Sequence, residues 1–468
     1  MKCNKYWSTK RYCPANIKAN DIYINSVQPS ESSIRLTWYG GKDSWTVNWR
    51  EKGCKKEWKS LKAITPQAEI DGLAANVDYE FFVGSFDIKS PVGYARTGFV
   101  PGTVVNYLHP EDKKYAFSGQ HLCTPCILKH PEGYLLASMD LFDSAAPQNL
   151  TIIFRSDDSG ESWYHLTELF PCYWGTLFIH KGEVYMLSTS TEYGDLLIGK
   201  SQDGGKTWAT PSVIARGSSH RIVPGWHKSS MPVIEHNGRL WCAVDYGSHC
   251  SGGHMSCLAS VDAGADILDA DNWTITDPLK YSSAWEGATK WDERGFIEGN
   301  AVVAPNGELY NILRYMSDQG IPSHGFVGML KADANEPQRM LEFYKFIPFD
   351  GNLSKFDIKR DEKTGLYFTI FNRIKSNSRV GMRNTLSIAY SEDLEEWTVL
   401  DDLLDYSHLS YKEVGFQYVS FCFDEEDIIY LSRTAFNGAE NFHDNNYVTF
   451  HRIEKFRNLV KTKGANNE

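Results

Sequence analysis

The chain has 468 residues, 42% hydrophobic and 23% charged, with 37 Gly, 18 Pro and a formal charge of −11. That balance is too apolar for a disordered chain and too often interrupted by charge for membrane helices, since no run reaches the ~18 apolar residues of a span. The charge is uneven: residues 1–107 hold 15 Lys and Arg against 10 Asp and Glu, leaving −16 for the other 361 residues, an acidity that argues against a nucleic-acid partner for the larger part.

In chain order, Met1 to Lys10 is basic but no apolar h-region follows it, so no secretory signal is read and a cytoplasmic location with reduced thiols is expected. The ten cysteines are scattered, and the single C-x-x-C, Cys123-Thr-Pro-Cys126, has no second pair at zinc-finger spacing; no metal or cofactor is expected. Residues 14–103 carry short alternating stretches, Ile22 to Ile24, Ser33 to Trp38, Trp45 to Trp49 and Glu80 to Val83, which predict a β-sandwich. The run from Leu73 through Tyr79 to Val83 resembles the fibronectin type III pattern, with Tyr79 at a tyrosine corner and Trp38 as the buried core Trp. Pro101-Gly102 marks the junction, and a sandwich over 1–105 is expected.

From about residue 108 the chain stays strand-rich and contains a repeat. Ser156-x-Asp158-x-Gly160-x-x-Trp163 and Ser201-x-Asp203-x-Gly205-x-x-Trp208 share one pattern, each after an apolar strand, and Ser260-x-Asp262 and Ser391-x-Asp393 are degenerate copies. A period near 50–60 residues of strand-only sequence suits a four-stranded propeller blade. The expectation is an all-β chain: a six-bladed β-propeller over 106–456 and a polar tail over 457–468. The repeats resemble the Asp boxes of sialidase-like propellers, where Gly permits positive φ, Ser and Asp bind turn amides and Trp packs on the blade.

The sialidase resemblance extends to candidate chemistry. Phe296-Ile-Glu298-Gly-Asn through Arg314 is similar to the family stretch in which a Glu assists the nucleophile and an Arg binds the substrate carboxylate. Gly415-Phe-Gln-Tyr418 before an acidic turn looks like the segment carrying the nucleophilic Tyr. A phenol is a poor nucleophile at its free pKa of about 10, so Tyr418 needs Glu298 as its base. The resemblance further implies Arg383 as a substrate-binding Arg, with Arg373 and Arg379 as competitors, and Asp143 as general acid, with Asp140 as its rival.

One departure stands out. Where sialidases open the first blade with an Arg of the carboxylate-binding triad, this chain has Cys123 before Thr124-Pro125. A thiol cannot supply two guanidinium hydrogen bonds. His121, His227, Lys228 and Tyr246 are expected to line the pocket. His249, Cys250, His254 and Cys257 have metal-ligand residue types at irregular spacing in a Gly/Ser loop, and His443 reads as a loop hydrogen bonder. Three functions follow from these residues: an exo-acting retaining glycoside hydrolase on an acidic or polar glycan terminus, a lyase acting by β-elimination on a uronate through a His or Tyr base, and a non-catalytic glycan-binding propeller.

Overall fold

Alternating burial survives where one face of a sheet meets water and disappears where both faces are covered, and the chain divides on that difference. The computed structural model describes residues 7–9, 21–218, 221–250, 252–288, 294–316, 325–351, 353–375 and 381–465. In Ile34–Tyr39 and Asp78–Ser85 buried and half-buried residues alternate strictly. In Leu135–Phe142 and Leu309–Tyr315 almost every residue is buried.

The alternating strands build a sandwich. A sheet of Tyr23–Pro29, Ile34–Tyr39 and Gln67–Ile70 shares one apolar core with a sheet centred on Trp45–Glu51 and Asp78–Ser85. Trp38 is buried in that core, and the Tyr79 hydroxyl accepts a hydrogen bond of 3.0 Å from the Ala74 amide five residues upstream. The sandwich is tied to the larger part by the Tyr23 hydroxyl on Glu168 and by Arg96 on Asn437.

The larger part consists, among the described residues, of six antiparallel sheets in chain order. Their inner strands are His121–Lys129, Tyr173–His180, Gly225–His227, Phe296–Val303, Asp357–Arg360 and Gly415–Asp424. Each neighbouring pair of sheets shares an apolar cluster, and the cluster between the sixth and first sheets closes the series. Polar cross-links between inner strands run the same way: Leu177 N to Cys126 Sγ, Thr176 Oγ1 to Met231 O, Glu298 N to Asp245 Oδ2, Ile358 N to Asn300 Oδ1, Lys355 Nζ to Val419 O and Ile127 N to Ser420 Oγ. The sheets therefore stand in a ring, with mouth-side and far-side strand ends.

The expected boundaries need correction at three places. Thr103–Tyr107 pairs with Tyr447–Ile453 as the outer strand of the sixth sheet, so a boundary at 105 cuts a strand that clasps the two ends of the ring together. Ser8–Thr9 pairs with Tyr164–Leu169 of the first sheet rather than with the sandwich, and Trp7 packs against Trp208. Residues Arg457–Ala465 form a helix instead of a polar tail. Arg457 pairs with Asp361, and Phe456, Leu459 and Val460 join the core of the fifth and sixth sheets.

The repeated turns share one bonding scheme at the far-side ends of the third strands. Ser156 Oγ accepts from Gly160 N, Ser201 Oγ from Gly205 N and Ser391 Oγ from Leu394 N. Asp158, Asp203 and Asp393 cap the following amides, and the indoles of Trp163, Trp208 and Trp397 donate back to the turn. These aspartates are architectural.

Candidate active site

A strand that carries one extra residue bends and re-aims a side chain. Four of the inner strands do this near the mouth, with register shifts between Cys123 and Cys126, Tyr173 and Thr176, Ile297 and Gly299, and Gln417 and Ser420. Within each irregularity lies a non-glycine residue at positive φ: Thr124 (45°), Trp174 (52°), Glu298 (56°) and Tyr418 (54°). Such conformations cost about 1–3 kcal/mol each and persist only where the surroundings impose them.

The last two bulges aim their side chains at one guanidinium. Arg314 Nη1 donates to Glu298 Oε2 at 2.9 Å and to the Tyr418 hydroxyl at 3.3 Å, which brings the phenol and the carboxylate together on one guanidinium. Glu298 is 2% and Arg314 8% exposed, while Tyr418 is half-buried. Burial pushes the Glu298 carboxyl up, but Arg314 and then His227 outweigh it and hold the group below its ordinary value. Burial and the Glu298 charge push the Tyr418 phenol up, against the pull of Arg314, Arg383 and Arg433. The resting pair is thus a carboxylate and a neutral phenol.

Two more guanidiniums lie against the Tyr418 ring, Arg383 at 5.6 Å and Arg433 at 5.2 Å from its centroid. Arg383 is buried and bonds Gln417 and the Leu353 carbonyl. Desolvation pulls its guanidinium down to about 9, so it remains charged at neutral pH. Arg433 bonds Asn445 and the His443 carbonyl, and its charge reaches the Cys123 thiol. It was not among the expected site residues. The available signal was a charged residue at the mouth end of Asp427–Ala435, a strand otherwise nearly all buried. Of the competitors to Arg383, Arg373 pairs outward with Asp402, and Arg379 lies outside the described residues.

His227 is buried beside this group. Its Nδ1 lies 3.0 Å from Asp245 Oδ2, and the same carboxylate oxygen accepts from the Glu298 amide at 3.0 Å. Asp245 was missed by one position: alternation along Arg239–Ser248 sends Asp245 to the mouth and Tyr246 into the apolar core, where it packs on Trp226 at 5.0 Å. Tyr246 therefore fills a core and does not line the pocket. Lys228 is also corrected. Its ammonium donates to the carbonyls of Trp174, Leu187 and Ser229 and to Thr176 Oγ1, which makes it a strap between the second and third sheets with no donor left for a ligand.

His121 and Asp143 lie on the first-sheet side. His121 Nε2 is 3.6 Å from Glu440, and burial pushes its imidazole down. Asp143, half-exposed, accepts from Gln120 Nε2 and from the Ala145 amide of its own turn; among the described residues no hydrogen bond joins it to Tyr418 or Glu298. Its rival Asp140 is buried against Thr151 and the Trp174 amide, with burial pushing its carboxyl up to about 7. His443 bonds Asp444 at 2.8 Å. Cys257 is buried in the third-sheet core and Cys250 is exposed; the eight cysteines of the described residues are free thiols.

No protein-family model matches the chain, and no curated protein matches it. Solved structures do resemble it. An α-L-arabinanase of Penicillium chrysogenum complexed with arabinobiose is 15% identical over 76% of this chain and 98% of that one, with a TM-score of 0.50. The Hadza microbial sialidase Hz136 is 12% identical over 94% of this chain and 96% of that one, with a TM-score of 0.52. The α-L-arabinofuranosidase Arb93A of Fusarium graminearum, in complex with an iminosugar inhibitor, is 13% identical over 75% and 97%, with a TM-score of 0.50. At such identities the likeness is one of fold: the chain has a β-rich, sialidase-like propeller fold shared with glycoside hydrolases.

Proposed function

We propose that the six sheets are the blades of a six-bladed propeller fronted by a fibronectin type III-like sandwich, and that the chain is a retaining exo-glycosidase acting on an anionic glycan terminus. The observation that carries the chemistry is the sharing of Arg314 between Glu298 and Tyr418, with Arg383 and Arg433 against the phenol ring. The similarity to the sialidase covers more of this chain than the six sheets alone occupy, which supports the sandwich as part of the shared architecture.

In this reading the Tyr418 oxygen attacks the anomeric carbon as the glycosidic bond breaks, and Glu298 takes the phenol proton. An acid on the rim, Asp143, protonates the leaving oxygen; water then cleaves the glycosyl–tyrosine bond and the protons return. A neutral phenol suits an anionic sugar, because a carboxylate nucleophile would repel it. Three guanidiniums supply fixed positive charge for the substrate's anion and for the developing phenolate. Arg433, from the sixth sheet, brings its charge to the place left by Cys123, so the clamp keeps three members with a different origin for one.

Turnover of sialosides, uronides and arabinosides by the purified chain, with Tyr418→Phe beside it, tests the reading. One class of anionic glycoside should be hydrolysed with retention, and the variant should lose at least about 10³-fold in kcat. Release of an unsaturated, ultraviolet-absorbing product would move the chain to the lyases. Binding without turnover would make it a lectin. Asp143→Asn should spare activated aryl glycosides, whose leaving groups need no proton, and slow unactivated ones.

A further inference from the structure

Beside the Arg314–Glu298 pair lies a cluster that this mechanism does not use. His227, His249 and His254 come from the short strand Gly225–His227, from the turn after Arg239–Ser248 and from the start of Gly253–Asp262. Each offers a ring nitrogen, and these atoms all lie within 4.8 Å of one another. The rings of His227 and His254 are 4.6 Å apart, and those of His249 and His254 4.7 Å.

Three features combine in this cluster. His254 is 4% exposed, and among the described residues its Nε2 has no hydrogen-bond partner, a cost a protein does not ordinarily carry without return. His227 presents Nδ1 to the Asp245 carboxylate at 3.0 Å, the carboxylate–histidine arrangement that fixes the tautomer and leaves Nε2 as a ligand. The Tyr193 ring lies 29° from parallel to both His227 and His254 at 6.1 and 5.7 Å, and its hydroxyl accepts from the His249 amide, so one side chain touches all three histidines.

We propose that His227, His249 and His254 form a binding site for a zinc-class divalent ion, reversing the expectation of no metal. Three neutral imidazoles suit zinc and its transition-metal neighbours and not magnesium or calcium. Ligand distances of 2.0–2.1 Å place tetrahedral nitrogens about 3.4 Å apart, so the cluster closes by roughly 1 Å, a movement the exposed His249 loop can make. Three protein ligands leave one position for water or for a hydroxyl or carboxylate oxygen of a ligand at the mouth. The Asp245 carboxylate oxygen that orients His227 also holds the Glu298 amide, which couples the ion to the base without making it part of the proton transfer.

Calorimetric titration of zinc chloride into chelator-stripped full-length protein tests the site. One equivalent per chain is expected, with about 100-fold weaker binding in His254→Gln and in His249→Ala, about 10–100-fold weaker in Asp245→Asn, and unchanged binding in Cys250→Ser and Tyr418→Phe. Cobalt substitution should give the visible bands of a tetrahedral ion in the wild type and lose them in His249→Ala. No saturable binding, or binding unaffected by His249→Ala, overturns the proposal. His249 is on the surface, so that variant decides the matter even if His254→Gln does not fold. Retention of binding in Tyr418→Phe separates this test from that of the glycosidase reading.

Discussion

The two ends of the same six sheets use charge and backbone conformation differently. At the far side a cavity of about 910 Å³ is lined by Lys129, His236, Lys359 and Arg360 among others. Its two lysines are engaged by the protein itself: Lys129 pairs with Asp424, and Lys359 donates to the Phe421 carbonyl. Positive φ occurs there in hairpin turns, at Lys181, Asn237 and Glu425, where the turn itself requires it. At the mouth the same conformation sits inside strands, at Thr124, Trp174, Glu298 and Tyr418, and three guanidiniums gather around the Tyr418 phenol. Volume marks one end and strain held inside strands beside clustered guanidiniums marks the other, and the proposed chemistry lies at the second.

The sharpest way to break this contrast is to change one end at a time. Tyr418→Phe should abolish turnover of whichever glycoside is accepted, and Lys359→Ala should leave kcat and KM unchanged. If the Lys359 variant were the inactive one, the far-side cavity would be the active site. Glu298→Gln comes next, with about 10²–10⁴-fold lost from kcat. Glu298 must be ionised to accept the phenol proton, and its carboxyl is held below its ordinary 4.5. The acid limb of kcat/KM should therefore fall below pH 4.5 in the wild type and move upward in Arg314→Met, where burial loses its main opponent. By linkage, a depressed carboxyl contributes stability above its unfolded pKa and loses it as pH falls through the folded value. Denaturation midpoints against pH should show that acid loss in the wild type and a flatter profile in Glu298→Gln.

Arg433→Met should act mainly on recognition. Removing a charged hydrogen-bond donor costs about 1.5–3 kcal/mol, expected as a 10–100-fold rise in KM for an anionic substrate and a much smaller change for its neutral ester. Equal losses on both substrates would assign Arg433 to packing against Phe142 and Tyr418 rather than to the anion.

How far the sequence discloses this arrangement depends on what kind of signal each residue carries. Glu298, Arg314 and Tyr418 lie in stretches with a readable pattern, because a bulge, a turn and a buried strand are all encoded around them. Arg433 carries no such pattern; its nearness to Cys123 on the neighbouring first sheet is visible only in space. Asp245 and Tyr246 differ by one position, and at a strand that is buried on both faces alternation of polarity no longer says which side looks at the mouth. Lys228 reads as a ligand-binding group because it stands early in a blade, where mouth-lining residues are expected; three acceptors on the second sheet and the carbonyl of the adjacent Ser229 account for it. The histidine cluster was half legible. The sequence sets His249 and His254 beside two cysteines, whereas the third imidazole comes from 22 residues before His249, and Cys257 is buried in the core.

The smallest effects should come from the repeated far-side turns, and their internal order is itself a test. Ser201 is buried and its Oγ accepts the Gly205 amide at 2.7 Å. Ser201→Ala leaves a buried N–H without a partner and should cost about 1–3 kcal/mol. Asp203 is exposed, and its carboxylate bonds the Thr207 amide and hydroxyl. Asp203→Asn keeps an oxygen for the amide, so its denaturant midpoint should lie between those of the wild type and Ser201→Ala. Neither variant should change kcat, because the turn lies at the opposite ends of the strands from Tyr418. A loss of turnover at unchanged stability would mean that the blade transmits its outer-turn geometry along the full strand length to the mouth, and the separation of architectural aspartates from catalytic groups would fail.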